Sequence, residues 1–196
     1  MPSKYKDSVL EFNQDSIFIV DYHKYGVTTP YVMMRWEDAI MKRHAEVVCE
    51  NGGDILEIGF GMGMSAGYIQ AQNPKSHTIV EIHPQIIEKL EEWAADKPNV
   101  NIVRGDWYEQ LGNLDVYDGI FYDAFGDRNS KKLKESMSSI AREGTIFTFW
   151  NDKKEENTKG FTENISYERI EVTPPPEHEW PGYFYLDAYY LPKVII

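Results

Sequence analysis

The stretch of sequence that decides the fold is Asp54–Ala66, which reads DILEIGFGMGMSA. Its first five residues form a mostly apolar run, and Gly59, Gly61 and Gly63 follow at alternate positions. Glycine adopts positive φ angles readily and has no Cβ to block a ligand that approaches the backbone. The free N–H groups and the dipole of a helix that starts there favour an anionic or hydroxyl-rich group. The stretch therefore predicts a strand, a tight turn and a helix that together cradle a nucleotide-type cofactor.

Length and composition restrict the class of protein. A chain of 196 residues is long enough for one domain with a full-sized core. No apolar run reaches the roughly 18 residues of a membrane-spanning helix, and Met1–Asp7 lacks the apolar segment of an export signal. The single cysteine, Cys49, excludes an internal disulfide framework and favours a reducing compartment. We therefore expect a cytoplasmic protein.

The chain is strongly acidic, with a net charge of −12 from 32 acidic and 20 basic side chains. This charge repels nucleic acids and anionic membranes, and it attracts a small cationic substrate. An acidic surface that only maintains solubility would explain the same charge. The five histidines show no metal-ligand spacing. We expect no nucleic-acid, membrane or metal partner, and the composition leaves a homodimer open.

Strand and helix patterns alternate after the glycine stretch. Further strands are predicted at residues 77–82, 100–103, 116–123 and 145–150. Helices are predicted at residues 63–72 and 84–94, and around Leu133, Met137 and Ile140. This alternation indicates βαβ units and a mainly parallel sheet. Residues 167–172 and 183–196, separated by three prolines, predict an antiparallel pair at the sheet edge.

The first part of the chain differs in character from the rest. Residues 1–30 are polar and aromatic and predict an N-terminal lid or extension before a domain over residues 31–196. That domain is predicted to begin with a helix over residues 31–50.

Three residues of the predicted helix over residues 31–50 are four positions apart. Met33, Glu37 and Met41 would therefore lie on one stripe, with a carboxylate between two thioethers. The carboxylate either faces a functional pocket or is an ordinary rim glutamate, and the spacing alone leaves both interpretations open.

Acidic residues lie at or just after the ends of three of the predicted strands. In open α/β sheets, ligands bind at the carboxyl ends of the strands, where Glu81, Asp106 and Asp123 lie. Glu81 is 22 positions after Gly59, and a carboxylate about 20 positions beyond such glycines can bind the ribose hydroxyls of an adenosine. We therefore expect Glu81 at the ribose.

The glycine pattern itself fits two cofactors. Gly61-x-Gly63-x-x-Ala66 matches the dinucleotide fingerprint, whereas Gly59-x-Gly61-x-Gly63 matches the turn of S-adenosylmethionine enzymes. Glu57, two residues before the first glycine, favours the methyl donor. Asp106 and Trp107 offer a hydrogen bond and a flat partner to an adenine base, and Asp123 would lie beside a sulfonium.

Three blocks of sequence in the same order resemble guanidinoacetate N-methyltransferase, namely Val32–Met41, Leu56–Met62 and Tyr122–Asp123. The chain is also similar to fungal arginine δ-N-methyltransferases in Ile79–Pro84 and Tyr189–Pro192. The resemblance implies the α/β, Rossmann-like fold of class I methyltransferases. That fold has a seven-stranded, mostly parallel sheet of order 3-2-1-4-5-7-6, flanking helices and a C-terminal antiparallel hairpin.

The resemblance also implies a function and a set of site residues. It implies S-adenosyl-L-methionine as cofactor, S-adenosyl-L-homocysteine as product, and a small guanidino compound such as guanidinoacetate or arginine as substrate. Glu37 and Asp123 are the implied catalytic carboxylates, and they bind the substrate together with Trp150 and Asn151. The implied cofactor residues are Met33, Met41, Gly59, Phe60, Gly61, Met62, Gly63, Met64, Glu81, Ile82, Asp106, Trp107 and Asp123.

The chain departs from this family in two places, which leaves other functions open. The segment after Asp152 is shorter, and the N-terminal segment aligns poorly, with Phe12 or Phe18 as candidates for its aromatic contact. One alternative is methylation of an arginine in a protein or peptide. Others are a catalytically silent cofactor- or partner-binding protein and a dinucleotide oxidoreductase.

Overall fold

The computed structural model describes residues 4–27, 29–126, 130–151, 158–175, 184 and 186–196. In chain order the strands are β1 (Leu10–Phe12), β2 (Ser16–Ile19), β3 (Tyr31–Met34), β4 (Asp54–Ile58), β5 (Ser76–Glu81), β6 (Val100–Arg104), β7 (Tyr117–Tyr122), β8 (Ala141–Phe149), β9 (Ile165–Glu171) and β10 (Ala188–Ile195). The α-helices are α1 (Asp38–Val48), α2 (Met64–Ala71), α3 (Pro84–Ala94) and α4 (Ser130–Ile140).

The larger sheet confirms the expected topology. Within the described residues it has seven strands in the order β6-β5-β4-β7-β8-β10-β9, which is 3-2-1-4-5-7-6 when its strands are numbered along the chain. The strands from β6 to β8 are parallel, and β10 runs antiparallel to both β8 and β9. The predicted C-terminal hairpin is therefore confirmed, although residues 183 and 185 of its second segment lie outside the described residues.

Helices cover the sheet and supply its apolar contacts. Helix α1 contacts β7, β8 and β10, α3 contacts β6, and α4 contacts β8. The predicted apolar face of α4 is confirmed, because Leu133, Met137 and Ile140 are all buried in a core with Phe147. In the part of the chain that the structure describes, no helix is long and apolar enough to cross a membrane.

The predicted helix over residues 31–50 is wrong at its start. Its first four residues form β3, which pairs with β2 and places Ile17 opposite Met33. A short 3-10 turn that includes Glu37 follows, and α1 begins only after it. The local periodicity did not determine the secondary structure of residues 31–34, because their side chains suit a strand as well as a helix. Pairing with β2 decided for the strand. Met33 and Glu37 therefore do not share a helical stripe with Met41.

The N-terminal segment is attached to the main sheet domain at several points. Strands β1, β2 and β3 form a second antiparallel sheet, which crosses the expected boundary at residue 30. The Gln85 side chain accepts from Leu10 N at 2.8 Å and donates to Leu10 O at 3.0 Å. Leu10, Ile17 and Ile19 pack in one core with Phe60. A lid function of residues 1–30 stays a prediction.

Candidate functional site

The glycine turn joins β4 to α2 as expected. Gly59, Gly61 and Gly63 have φ angles of 95°, 54° and 72°, which lie in the region that side chains with a Cβ rarely adopt. A Cβ on Gly61 would also lie 2.5 Å from the Met33 sulfur. That sulfur accepts a hydrogen bond from Met62 N at 3.2 Å, so β3 supports the turn from one side.

A cleft opens beside this turn at the carboxyl ends of β4, β5, β6 and β7. Its empty volume is about 730 Å³, which includes open solvent at its mouth. Of the predicted cofactor residues, the structure brings together as its lining Met33, Gly59, Phe60, Gly61, Glu81, Ile82, Asp106, Trp107 and Asp123. Met41 and Met64 instead pack with Met33 in the core behind the turn. Met62 and Gly63 belong to the turn but are not among the lining residues.

Main-chain amides hold Glu81 in a fixed position at the end of β5. One carboxylate oxygen accepts from Phe60 N at 2.9 Å, and the other accepts from Ile82 N and His83 N at 2.8 Å each. The side chain is only 4% exposed. Burial raises the pKa of the Glu81 carboxyl, while these amide bonds oppose the rise. The carboxylate therefore links the glycine turn to the end of β5, and Glu81 belongs to the lining of the cleft.

Asp106 and Trp107 lie in the same cleft after β6. Asp106 Oδ1 accepts from Tyr108 N at 2.9 Å, which fixes the carboxylate over its own turn. The Trp107 ring is buried and meets Tyr122 edge to face, with 5.6 Å between ring centroids. The pair thus offers one hydrogen-bond acceptor and one flat apolar ring to a ligand.

Asp123 is the acidic residue that follows β7. Its N–H donates to Ile58 O at 2.8 Å, so its main chain is fixed to the end of β4. Burial, and after it the negative charge of Glu57, raises the pKa of the Asp123 carboxyl to about 7, although Lys159 opposes the rise. A cation that binds beside a buried carboxyl such as that of Asp123 stabilises its charged form.

A buried network behind the turn was not found from the sequence. Glu57 accepts from the Ser65 hydroxyl with one oxygen and lies 2.9 Å from His77 Nε2 with the other. Gln70 Nε2 lies 3.2 Å from the other ring nitrogen of His77. Glu57, Ser65 and His77 are almost fully buried, and Ser65 lines the cleft. Residues from three elements meet here, and no spacing in the sequence signals that.

Only one of the four predicted substrate residues belongs to the lining of the cleft. Glu37 is 2% exposed, and its Oε1 accepts from Met34 N at 2.6 Å. Trp150 N donates to Tyr122 O at 3.0 Å, which places Trp150 and Asn151 beside the end of β7. Asp123 belongs to the lining, whereas Glu37, Trp150 and Asn151 are not among the lining residues. Their role in substrate binding stays a prediction.

The aromatic side chain that the N-terminal segment brings to the cleft is Tyr5. It lines the cleft and packs on Phe125, with ring centroids 4.9 Å apart. Burial raises the pKa of the Tyr5 hydroxyl, and the Glu81 and Asp123 carboxylates raise it further. Phe12 instead lines a neighbouring pocket with Trp93, and Phe18 packs on Tyr31.

The residues of the cleft fit an adenosyl sulfonium cofactor. Glu81 offers oxygens to vicinal hydroxyls, Trp107 and Ile82 offer apolar surface to a base, and Asp123 offers negative charge to a sulfonium. Gly59 and Gly61, which also line the cleft, have no Cβ to block a ligand that approaches their main chain.

Comparisons with known proteins agree with this fit. The family profile described as guanidinoacetate N-methyltransferase matches residues 4–151. A relative from Yarrowia lipolytica named Protein arginine N-methyltransferase 2 is 30% identical, over 94% of this chain and 47% of its own length. A relative of the same name from Candida glabrata is 34% identical, over 76% of this chain and 38% of its own length. The chain thus spans less than half of either relative.

Solved structures share the fold. The crystal structure of Aeropyrum pernix fibrillarin in complex with natively bound S-adenosyl-L-methionine aligns with a TM-score of 0.60. The alignment covers 82% of this chain and 77% of that chain at 14% sequence identity, so the likeness concerns the fold alone. Because the family profile covers most of the chain and the sheet has the expected strand order, this chain belongs to the guanidinoacetate N-methyltransferase family of S-adenosylmethionine-dependent methyltransferases.

Proposed function

We propose that this protein is an S-adenosylmethionine-dependent N-methyltransferase that methylates a guanidino nitrogen of a small molecule, such as guanidinoacetate or arginine. The observation that supports this most is the position of Asp123. Asp123 lies in the lining of the cleft, beside the glycine turn, and burial and Glu57 disfavour the charged form of its carboxyl. A cationic substrate would relieve that cost, since an opposite charge stabilises the anion.

The chemistry of a guanidinium explains why carboxylates are needed. The group is planar and stays protonated at ordinary pH, so its nitrogens are poor nucleophiles. Asp123 and Glu37 would bind it by charge-assisted hydrogen bonds and concentrate the positive charge on the nitrogens that do not react. The bound cofactor would supply an electrophilic methyl group on a sulfonium. Asp123 or Glu37 would then accept the proton that the methylated nitrogen releases.

The charge of the chain is consistent with such a substrate. Glu57, Glu81 and Asp123 lie at or behind one end of the sheet, and the whole chain carries a net charge of −12. A negative field of this kind draws small cations toward a cleft. The proposal accordingly includes no nucleic-acid or membrane partner. We also propose a location in the cytoplasm, and a homodimer stays an open alternative.

Incubation with methyl-labelled cofactor and a panel of guanidino compounds tests the proposal. We expect label in at least one small guanidino compound, with none after Asp123→Asn and little after Glu37→Gln. Asp115→Asn, at an exposed aspartate, is the matched control. The absence of methylated product from every compound in the panel would contradict the proposal.

The names of the relatives favour a second candidate substrate, an arginine side chain in a protein. Mass spectrometry of a cell extract treated with the enzyme and cofactor separates the two, because only this candidate predicts a methylated polypeptide. Calorimetry with S-adenosylmethionine and with NAD tests the cofactor assignment independently. Binding of NAD alone would indicate an oxidoreductase.

A further inference from the structure

A chain of buried polar groups lies behind the strand end that carries Asn151. His44 on α1, Thr148 on β8 and Tyr189 on β10 are fully buried. His44 Nδ1 lies 2.7 Å from Thr148 Oγ1, and His44 Nε2 lies 2.8 Å from the Tyr189 hydroxyl. The main-chain N–H of Asn151 points to that same hydroxyl at 2.9 Å. These contacts connect α1, β8 and β10.

The Thr148 end of this network fixes the direction of its hydrogen bonds. Pro192 O can only accept a hydrogen bond, so the Thr148 hydroxyl donates its single hydrogen to it, with 2.6 Å between the two oxygens. Thr148 Oγ1 must then accept from His44 Nδ1–H. Burial lowers the pKa of His44 to about 3, so the ring is neutral and carries only this one N–H.

The hydrogen bonds at the Tyr189 end of this network follow from that tautomer. His44 Nε2 has no hydrogen and must accept from Tyr189, whose hydroxyl oxygen is then free to accept from Asn151 N–H. A longer contact of 3.4 Å from Tyr189 to Phe149 O competes only weakly for the same hydrogen. The short contacts along the line therefore favour one arrangement of its hydrogens.

The network lies between two parts of the proposed substrate site. Glu37 is the N-cap residue of α1, two helical turns before His44. The His44 ring also stacks on Phe121 of β7 at 4.7 Å between centroids, two residues before Asp123. Asn151 is held at its other end by a bond of 2.8 Å from its side-chain nitrogen to Tyr190 O. The His44 ring therefore connects α1 to β7, β8 and β10 close to the ends that carry Asp123 and Asn151.

We propose that His44, acting through Tyr189, is a positioning residue that fixes the main chain of Asn151 relative to Glu37 and so sets the geometry of the site for the methyl acceptor. The inference rests on the proposed function, since that function assigns these residues to the acceptor. It predicts that a substitution in the network weakens binding of the methyl acceptor and leaves binding of the cofactor unchanged. The reason is that His44, Thr148 and Tyr189 do not line the cleft.

Steady-state kinetics of Tyr189→Phe test this role. The variant removes one hydroxyl and leaves both Asn151 N–H and His44 Nε2 without this partner. We expect kcat/KM for the guanidino substrate to fall on the order of tenfold, mainly through KM, which is the effect of one lost buried hydrogen bond. The dissociation constant of S-adenosylmethionine, measured by calorimetry, should not change.

Tyr117→Phe is the matched control, because Tyr117 is also buried and its hydroxyl bonds the Thr78 side chain far from the cleft. A purely structural role for Tyr189 would lower the melting temperature of both variants and change the kinetics of neither. That result would overturn the proposal. If Tyr189→Phe does not fold, Thr148→Val interrupts the same line from its far end and should raise the same KM.

Nitrogen-15 NMR of the histidine rings in the unmodified protein provides a test that needs no activity. We expect His44 to be neutral with its hydrogen on Nδ1 between pH 5 and 8, a range set by its lowered pKa. A hydrogen on Nε2, or a charged ring, would overturn the direction of the network. If no guanidino compound is methylated, the proposed function fails, while this measurement still decides the arrangement around His44.

Discussion

Gly59 lies directly against the main chain of Asp123, so that a Cβ on Gly59 would be 2.3 Å from the Asp123 carbonyl oxygen. The adjacent hydrogen bond from Asp123 N to Ile58 O, at 2.8 Å, fixes the same contact. The start of the glycine turn and the carboxylate proposed to bind the substrate are therefore held together by backbone atoms. Neither can move far without the other.

Substitution of Gly59 by alanine should damage both folding and cofactor binding. The φ angle of 95° already disfavours a side chain, and the new methyl group would overlap the Asp123 carbonyl. We expect a loss of at least about 1–2 kcal/mol in the free energy of unfolding, together with a weaker affinity for S-adenosylmethionine. Denaturant unfolding and calorimetry measure the two effects.

Gly67→Ala is the control for Gly59→Ala. Gly67 lies inside α2, and a Cβ placed there would meet no atom within 4 Å apart from its chain neighbours and the backbone of its own helix. Alanine should stabilise this helix by roughly 0.5–1 kcal/mol. Equal stability and equal cofactor affinity in the two variants would contradict the close contact at Gly59.

The titration of Asp123 should appear in the pH dependence of turnover. Its pKa of about 7 means that the free protein holds a proton there at lower pH and cannot pair with a guanidinium. We expect kcat/KM to rise about tenfold per pH unit up to about pH 7 and then level. Asp123→Ala should abolish turnover altogether.

Substitution of Glu57 tests that assignment, because it predicts the direction in which the pH profile moves. Because the negative charge of Glu57 raises the pKa of Asp123, Glu57→Gln should move the acid limb of the profile to lower pH. Glu91→Gln, at an exposed ion pair with Arg104, should leave the limb in place. An unchanged limb in Glu57→Gln would mean that Asp123 does not cause it.

Removal of the Glu81 carboxylate should mainly weaken cofactor binding. Glu81→Ala loses the acceptor for Phe60 N and Ile82 N as well as the proposed contact to ribose hydroxyls. Loss of a hydrogen bond to a charged group corresponds to about 1.5–3 kcal/mol, which is roughly a 10- to 150-fold rise in the dissociation constant. Calorimetry with S-adenosylmethionine measures it. An unchanged affinity would show that the ribose does not bind at Glu81.

The buried His44 should make the fold sensitive to acid. In the unfolded chain its pKa is the ordinary 6.5, whereas in the folded protein it is about 3. Below pH 6.5 the unfolded chain therefore binds a proton that the folded protein does not. The free energy of unfolding should fall as the pH drops from 6.5 toward 3, with a slope that approaches about 1.4 kcal/mol per pH unit. Above pH 6.5 this contribution is constant.

Urea unfolding of the wild type and His44→Gln between pH 4.5 and 7.5 isolates this effect. The variant lacks the titrating ring, so the difference between the two proteins should shrink as the pH falls. Parallel curves would contradict a buried, neutral His44. The comparison of slopes does not depend on how much the substitution destabilises the protein at neutral pH.

Much of the cleft could be predicted because its residues follow rules that act over short stretches of chain. The glycine turn needs residues without a Cβ, and the sequence shows them directly. Glu81, Asp106 and Asp123 each lie at or just after the carboxyl end of a strand of a parallel sheet, so their common edge follows from the topology. The apolar face of α4 was equally readable from its spacing.

Other features depend on partners far away in the chain. Residues 31–34 became a strand because β2 was there to pair with them, although their local pattern also suits a helix. Tyr5 reaches the cleft because the N-terminal segment packs on α3 and on Phe125. Glu37 owes its position to the strand and turn that precede α1.

The residue patterns of the sequence by themselves therefore determined the fold class and the acidic edge of the sheet, and the resemblance to a methyltransferase family supplied the strand order. Only the tertiary structure decided the partners of the buried polar groups, above all the contacts of Glu57 with Ser65 and His77 and of His44 with Tyr189. The physical reason is distance along the chain. Periodicity and turn chemistry act between near neighbours, whereas a hydrogen bond between residues 44 and 189 has no local signal and exists only once the helices have packed on the sheet.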